Sequence, residues 1–216
     1  MMSWIYFLIS LLIAILVHEF GHLFVALLCG VKVEAFSVGF GKPLYKRKIK
    51  GIEFRLTPFL LGGYTKLAGE FDKKVKNGFL TQRYSKKILI ALAGVTMNFI
   101  VAIICYLIHY KSIYIGIMVD TNIFLAVLKG DYLTMIEVIT VFCSNAFLLQ
   151  LSLINFFCAL FNFLPFPALD GALLWILLLE KKIKNFGKFF KNICQWGFVI
   201  LMILQFILIY YIYTRR

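Results

Sequence analysis

WIYFLISLLIAILVHEFGHLFVALLC, running from Trp4 to Cys29, decides how the rest of the chain is read. It exceeds the roughly 20 apolar residues that cross a bilayer, yet it carries His18, Glu19 and His22. No Lys or Arg precedes it, it is longer than the roughly 7–15 residues of a signal-peptide core, and no convincing cleavage site follows. It therefore reads as a retained transmembrane helix. Ionisable side chains at membrane depth are costly and by default functional. His18 and His22 are four residues apart, so on a helix both imidazoles leave one face, one turn apart, spaced to share a Zn2+. Glu19 beside them can take a proton from an activated water and pass it to a leaving amine. The competing reading, two buried helix histidines with an incidental carboxylate, leaves the cost of burying them unexplained.

Outward from this segment the chain is equally apolar. Of 216 residues, 62% are hydrophobic and 15% charged, against about half and a quarter in soluble domains. One membrane-embedded unit over residues 1–216 is expected. Further spans fit at about 88–109, about 142–164 with a broken continuation to 179, and about 194–213, making four helices. The formal net charge of +13 raises nucleic acid as a partner, but the placement of the charge argues against it. Lys42 to Lys87 holds 13 of the 23 basic residues and Lys181 to Lys191 five more, whereas residues 112–141 hold only Lys129. The positive-inside rule puts the two basic segments in the cytoplasm and both termini outside. Anionic lipid headgroups are the natural partners of such juxtamembrane charge. From Trp4 to His18 a helix rises about 21 Å, which places the histidines inside the bilayer, nearer the cytoplasmic face.

Between the first two spans, residues 31–67 carry glycines and prolines among short β-branched and aromatic runs, the punctuation of a β-hairpin or small sheet against the membrane. Residues 69–87 read as a connector. Residues 112–141, where Asp120, Lys129, Asp131 and Glu137 interrupt apolar residues, suit one or two interfacial amphipathic helices. The third span is broken at Asn162-Phe-Leu-Pro-Phe-Pro-Ala-Leu-Asp170-Gly171, where Pro165 and Pro167 stop the helix. Non-helical backbone at membrane depth is tolerated only when packed in protein or lining a watery cavity. Catalytic zinc wants three protein ligands and an open position. Asp170, the one acid besides Glu19 well inside a span, is the obvious third ligand, although it also suits the N-cap of the helix that follows. Asn162 could hydrogen-bond a substrate carbonyl or satisfy carbonyls freed by Pro165. Asn98 and Asn155 read as interhelical hydrogen-bonding residues, and His109 as an interfacial histidine. Cys29, Cys105, Cys143, Cys158 and Cys194 form no CxxC pair and read as small packing residues.

These segments together resemble the site-2 proteases, intramembrane zinc metalloproteases, and especially their bacterial four-helix branch. His18-Glu19-Phe20-Gly21-His22 is similar to the family's HExxH, and Pro167-Ala-Leu-Asp170-Gly171 to its LDG motif, which supplies the third zinc ligand. Phe40-Gly41-Lys42-Pro43-Leu44 with Pro58-Phe-Leu-Leu-Gly62-Gly63-Tyr64-Thr-Lys66 resembles the re-entrant β-loop region, and Ala93-Gly94-Val95-Thr96-Met97-Asn98 the opening of the second core helix. Many bacterial members carry a PDZ domain of roughly ninety residues between the second and third core helices. The about thirty residues available here cannot hold a domain of normal size.

The resemblance and the residues converge on a zinc endopeptidase of the bacterial plasma membrane: His18, His22 and Asp170 as ligands, Glu19 as base. A substrate helix must unwind to expose its carbonyls, and an extended segment could pair with the Leu60 to Lys66 edge, where Gly62, Gly63 and Tyr64 are candidate contacts. The resemblance implies as substrates membrane-bound anti-sigma factors, other membrane-bound regulators or signal-peptide remnants. Two rivals remain: an intramembrane zinc transporter or sensor, since such residues also line ion paths, and a catalytically idle membrane adaptor.

Overall fold

The structure is a computed structural model that describes residues 2–129, 146–167, 169–180 and 182–214. Helix α1 spans Met2–Leu28. It ends where Gly30 takes a left-handed φ of 77°, with the Gly30 amide donating to the Leu27 carbonyl and Val31 to that of Ala26. That is how a glycine after the last turn stops a helix. The chain then makes four strands, β1 (Val33–Phe40), β2 (Tyr45–Ile49), β3 (Ile52–Leu56) and β4 (Phe59–Leu67). Lys50 and Gly51, both at positive φ, close the β2–β3 hairpin in the manner that two-residue hairpin turns require.

The sheet order is β2-β3-β1-β4. β1 runs parallel to β3 and antiparallel to β4, with Phe36 opposite Thr65, Ser37 opposite Tyr64 and Val38 opposite Gly63. The small sheet expected over residues 31–67 is present, and its strand β4 is an edge, paired on one side only.

Helix α2 (Tyr84–His109) packs against α1. A Cβ at Gly21 would lie 2.6 Å from the Ala93 carbonyl oxygen, so the two backbones meet at a distance only glycine allows. Helix α3 (Ile113–Lys129) follows. The acid that interrupts its apolar pattern is turned inward: Asp120 is fully buried and accepts a 2.5 Å hydrogen bond from the Tyr106 hydroxyl of α2. Tyr114, Met118 and Leu128 point outward instead.

Helix α4 (Phe147–Phe163) stops just before Pro165, with Leu164 extended as pre-proline residues are. The break expected there is present. Helix α5 (Asp170–Leu178) resumes the run, and α6 spans Phe186–Thr214. The expected start of the third span at 142 lies outside the described residues, as does Cys143; Cys29, Cys105, Cys158 and Cys194 are free.

By length and composition, α1 from Trp4 and α2 are apolar enough to cross a membrane, whereas α4 and the apolar part of α3 are shorter. Both long helices expose large apolar side chains, among them Trp4, Leu8 and Phe24 on α1 and Ile100, Ile104 and Ile108 on α2. Outward faces of that kind suit hydrocarbon rather than water.

Helices α1, α2 and α4 pack on one another. The main apolar core gathers at the sheet end of this bundle, where Leu23, Val33, Phe36, Leu67, Phe79, Ile90, Ile176 and Phe186 meet. There the Lys87 ammonium, nearly fully buried, lies 2.5 and 2.7 Å from the two carboxylate oxygens of Glu180. Breaking such a pair would strand a buried charge, so it ties the start of α2 to the end of α5.

Candidate metal centre

Three side chains from two distant parts of the chain converge. His18 and His22 leave one face of α1, and Asp170 opens α5, brought back to α1 by the proline break. His18 Nε2 lies 2.7 Å and His22 Nε2 3.0 Å from Asp170 Oδ2, and the two Nε2 atoms are 3.3 Å apart. Asp170 therefore does not act as the helix cap that its position also suited. The N-cap residue is Leu169, and no side chain caps that end.

The group fits zinc on three counts. Tetrahedral Zn2+ with bonds of about 2.0–2.1 Å spaces its ligand atoms by about 3.3 Å, the separation of the two imidazole nitrogens. His22 Nδ1 donates to the Ile90 carbonyl at 2.8 Å, which in the neutral imidazole fixes the tautomer and leaves the Nε2 lone pair facing the Asp170 carboxylate. Two acceptors face each other there, an arrangement that a cation between them reconciles. Finally, Gly94 of α2 lies over the pair: a Cβ there would come 2.5 Å from His22 Nε2 and 2.6 Å from His18 Nε2. Among the described residues, these three form the one group of His, Cys, Asp and Glu side chains able to hold a metal.

A cavity of about 240 Å³ opens beside the triad. Glu19, His22, Asp170, Gly63, Tyr64, Thr65 and Glu70 face it. Gly63 and Thr65 stand on the same side of β4, two residues apart. A Cβ at Gly63 would meet Glu19 Cγ at 2.9 Å and the Ser37 carbonyl at 2.8 Å. Thr65 Oγ1 lies 2.9 Å from both Glu19 Oε2 and the Glu19 carbonyl oxygen. The sheet thus reaches into the helix bundle and holds the Glu19 carboxylate beside the ligands rather than among them. Tyr64 accepts a 2.7 Å hydrogen bond from Arg55 Nη1, whose Nε donates to Glu53. Thr65 and Glu70 escaped the sequence reading. The spacing of Gly63 and Thr65 along one strand face was the available signal for the first.

Other candidates fall elsewhere. Asn162 donates to the Cys158 carbonyl of its own helix at 3.0 Å and does not line the cavity. Asn155 likewise donates within its helix, to Leu151, instead of across the bundle. His109 is exposed and stacks edge-on to Tyr110 at the far end of α2. Gly62 is not in a turn: a Cβ there would meet the Phe40 ring at 2.5 Å.

A helix-borne HExxH, a distant aspartate beside it and a flanking edge strand form a candidate metalloprotease site. Residues 6–204 match peptidase family M50, and the chain belongs to that family, the site-2 protease class of zinc metalloproteases. Among similar proteins are the regulator of sigma-E protease RseP of Escherichia coli K12, 42% identical over 106 residues, and RseP of Salmonella typhimurium at the same identity. A candidate zinc metalloprotease of Neisseria meningitidis serogroup A is 43% identical over 105 residues. Each of these matches covers 46% of this chain and 24% of the relative, so the matched stretch spans about a quarter of those proteins' length.

Proposed function

We propose that this chain is an intramembrane zinc endopeptidase that hydrolyses a peptide bond within or near a transmembrane segment of a membrane protein. The observation that carries the reading is convergence: edge strand β4, the Glu19 carboxylate, and His22 and Asp170 of the His–His–Asp group all line one cavity. His18, His22 and Asp170 would hold zinc, which when bound supplies Lewis-acid activation of water and of the peptide carbonyl. Glu19 takes a proton from the attacking water and returns it to the departing amine. The Thr65 hydroxyl keeps the Glu19 carboxyl aimed into the cavity while β4 offers its unpaired main chain to an unwound substrate strand. The names of the RseP relatives favour proteolysis tied to a sigma factor, which suits a membrane-bound anti-sigma factor or other regulator as substrate, with signal-peptide remnants as the alternative.

Purified protein reconstituted in lipid should cleave a transmembrane test substrate, lose that activity to a zinc chelator and regain it with zinc. Zinc flux across the vesicle without cleavage would favour the transporter reading, and neither activity the idle adaptor.

The four-helix arrangement, with residues 42–87 and 181–191 in the cytoplasm, both termini outside and anionic lipid at the basic flanks, is part of this proposal and rests on the charge distribution. An introduced cysteine near Lys74 should resist an impermeant thiol reagent in intact cells; ready labelling would invert the orientation.

Gly63→Val should slow cleavage strongly while zinc stays bound. The three atoms nearest an added Cβ belong to Ser37, Glu19 and Ile15, not to His18, His22 or Asp170. Zinc analysis beside a cleavage assay checks this; parallel loss of both would make Gly63 a purely structural residue.

A further inference from the structure

Glu70 is a half-buried acid that the proposed mechanism does not use. It follows β4 on a loop pinned by main-chain bonds: Ala68 donates to the Lys32 carbonyl, Phe79 to Ala68 and Leu80 to Gly69. Glu70 lines the same cavity as Glu19, His22 and Asp170. Burial pushes its carboxyl up to about 7, against the pull of the nearby His22, a hydrogen bond from the Leu67 main chain and Lys66.

The nearby Lys66 is already committed, as are other cations of the fold. Lys66 pairs with Glu34 at 2.7 Å, Arg55 with Glu53 at 2.7 Å, and Lys87 and Lys73 with Glu180. Among the described residues no Lys or Arg forms an ion pair with Glu70. In a chain of 23 basic and 10 acidic residues, an acid without a cationic partner inside the cavity stands out. A carboxylate partly withdrawn from water is stabilised when a cation meets it.

From this placement we infer that Glu70 is a specificity-determining residue whose carboxylate receives a Lys or Arg side chain of the substrate, next to the scissile bond on the flank lying past the Leu67 end of β4. Membrane segments carry their basic residues just cytoplasmic of the apolar stretch, so a segment drawn into the cavity from that side brings a cation to this end. The basic surface formed by residues 42–87 would otherwise repel such a flank. The neutral main chain pairs with β4, and Glu70 sets the register by fixing one charged side chain. This rests on the proposed reading of the cavity as the substrate cleft.

The test is binding, kept apart from turnover. Transmembrane peptides with a single Lys moved through each position around the cleavage site, each with a Gln counterpart, are titrated against full-length protein in lipid. The titrations use a Glu19→Gln background with Glu70 intact or changed to Gln. At one position the Lys peptide should bind tenfold or more tightly than its Gln counterpart, in the range measured for close charge pairs across an interface, and Glu70→Gln should erase that ratio. Because the ratio is taken within each protein, altered folding of a variant cancels. Equal binding of Lys and Gln peptides at every position, or a Lys preference that survives Glu70→Gln, overturns the assignment. Cleavage of the same peptides by the unmodified protein separately decides whether the chain is a protease at all.

Discussion

Glu19→Gln should leave near-stoichiometric zinc in the purified protein while cleavage falls by about 10²–10⁴-fold, the contribution usual for a positioned general base. Glutamine keeps the size and polarity of the side chain, and its amide oxygen can still accept the Thr65 hydrogen bond seen at Glu19 Oε2. It cannot take up the proton of the attacking water. The ligand atoms of His18, His22 and Asp170 are untouched. Metal analysis and a cleavage assay on the same preparation check both halves. Loss of zinc in this variant would place Glu19 among the ligands, and full activity would remove it from the chemistry.

Asp170→Ala should lower zinc affinity and activity together. One of three protein ligands disappears, and the loss should exceed the roughly 10–100-fold typical of removing an outer partner of a metal ligand. Because Gly171 packs against the carbonyls of Phe163 and Leu164 and Glu180 stays paired to Lys87, the start of α5 should hold its place. Competition with a zinc chelator measures the affinity. Wild-type affinity in this variant would leave Asp170 with no part in metal binding.

The candidate metal group was legible because an ionisable side chain is conspicuous in an apolar segment. His18, Glu19, His22 and Asp170 stand out from apolar neighbours, and the four-residue step fixes which two share a helix face. The sheet over residues 31–67 was legible from its glycines and prolines. The order β2-β3-β1-β4 was not, because parallel pairing of β1 with β3 is a long-range choice that local pattern does not encode. Thr65 and Glu70 gain their places only when β4 meets α1, so no local spacing announces the second of them. Gly63 was read as a point of close approach to substrate. The structure adds a nearer constraint, the Glu19 side chain itself. Asn162, conspicuous beside the proline break, folds its amide back onto its own helix, as polar residues within apolar helices commonly do.

Gly21 and Gly94 sit where α1 and α2 touch, and at both even a single methyl group has nowhere to go. Divergence at these positions is thus blocked at its smallest step, since a one-carbon change at Gly94 would press into the imidazole nitrogens and at Gly21 into the α2 backbone. Outward-facing apolar positions such as Leu8 or Ile104 are free to drift among apolar residues. Over long lineages, these two glycines should persist as stubbornly as the ligands themselves, including in descendants that have abandoned catalysis but kept the helix crossing.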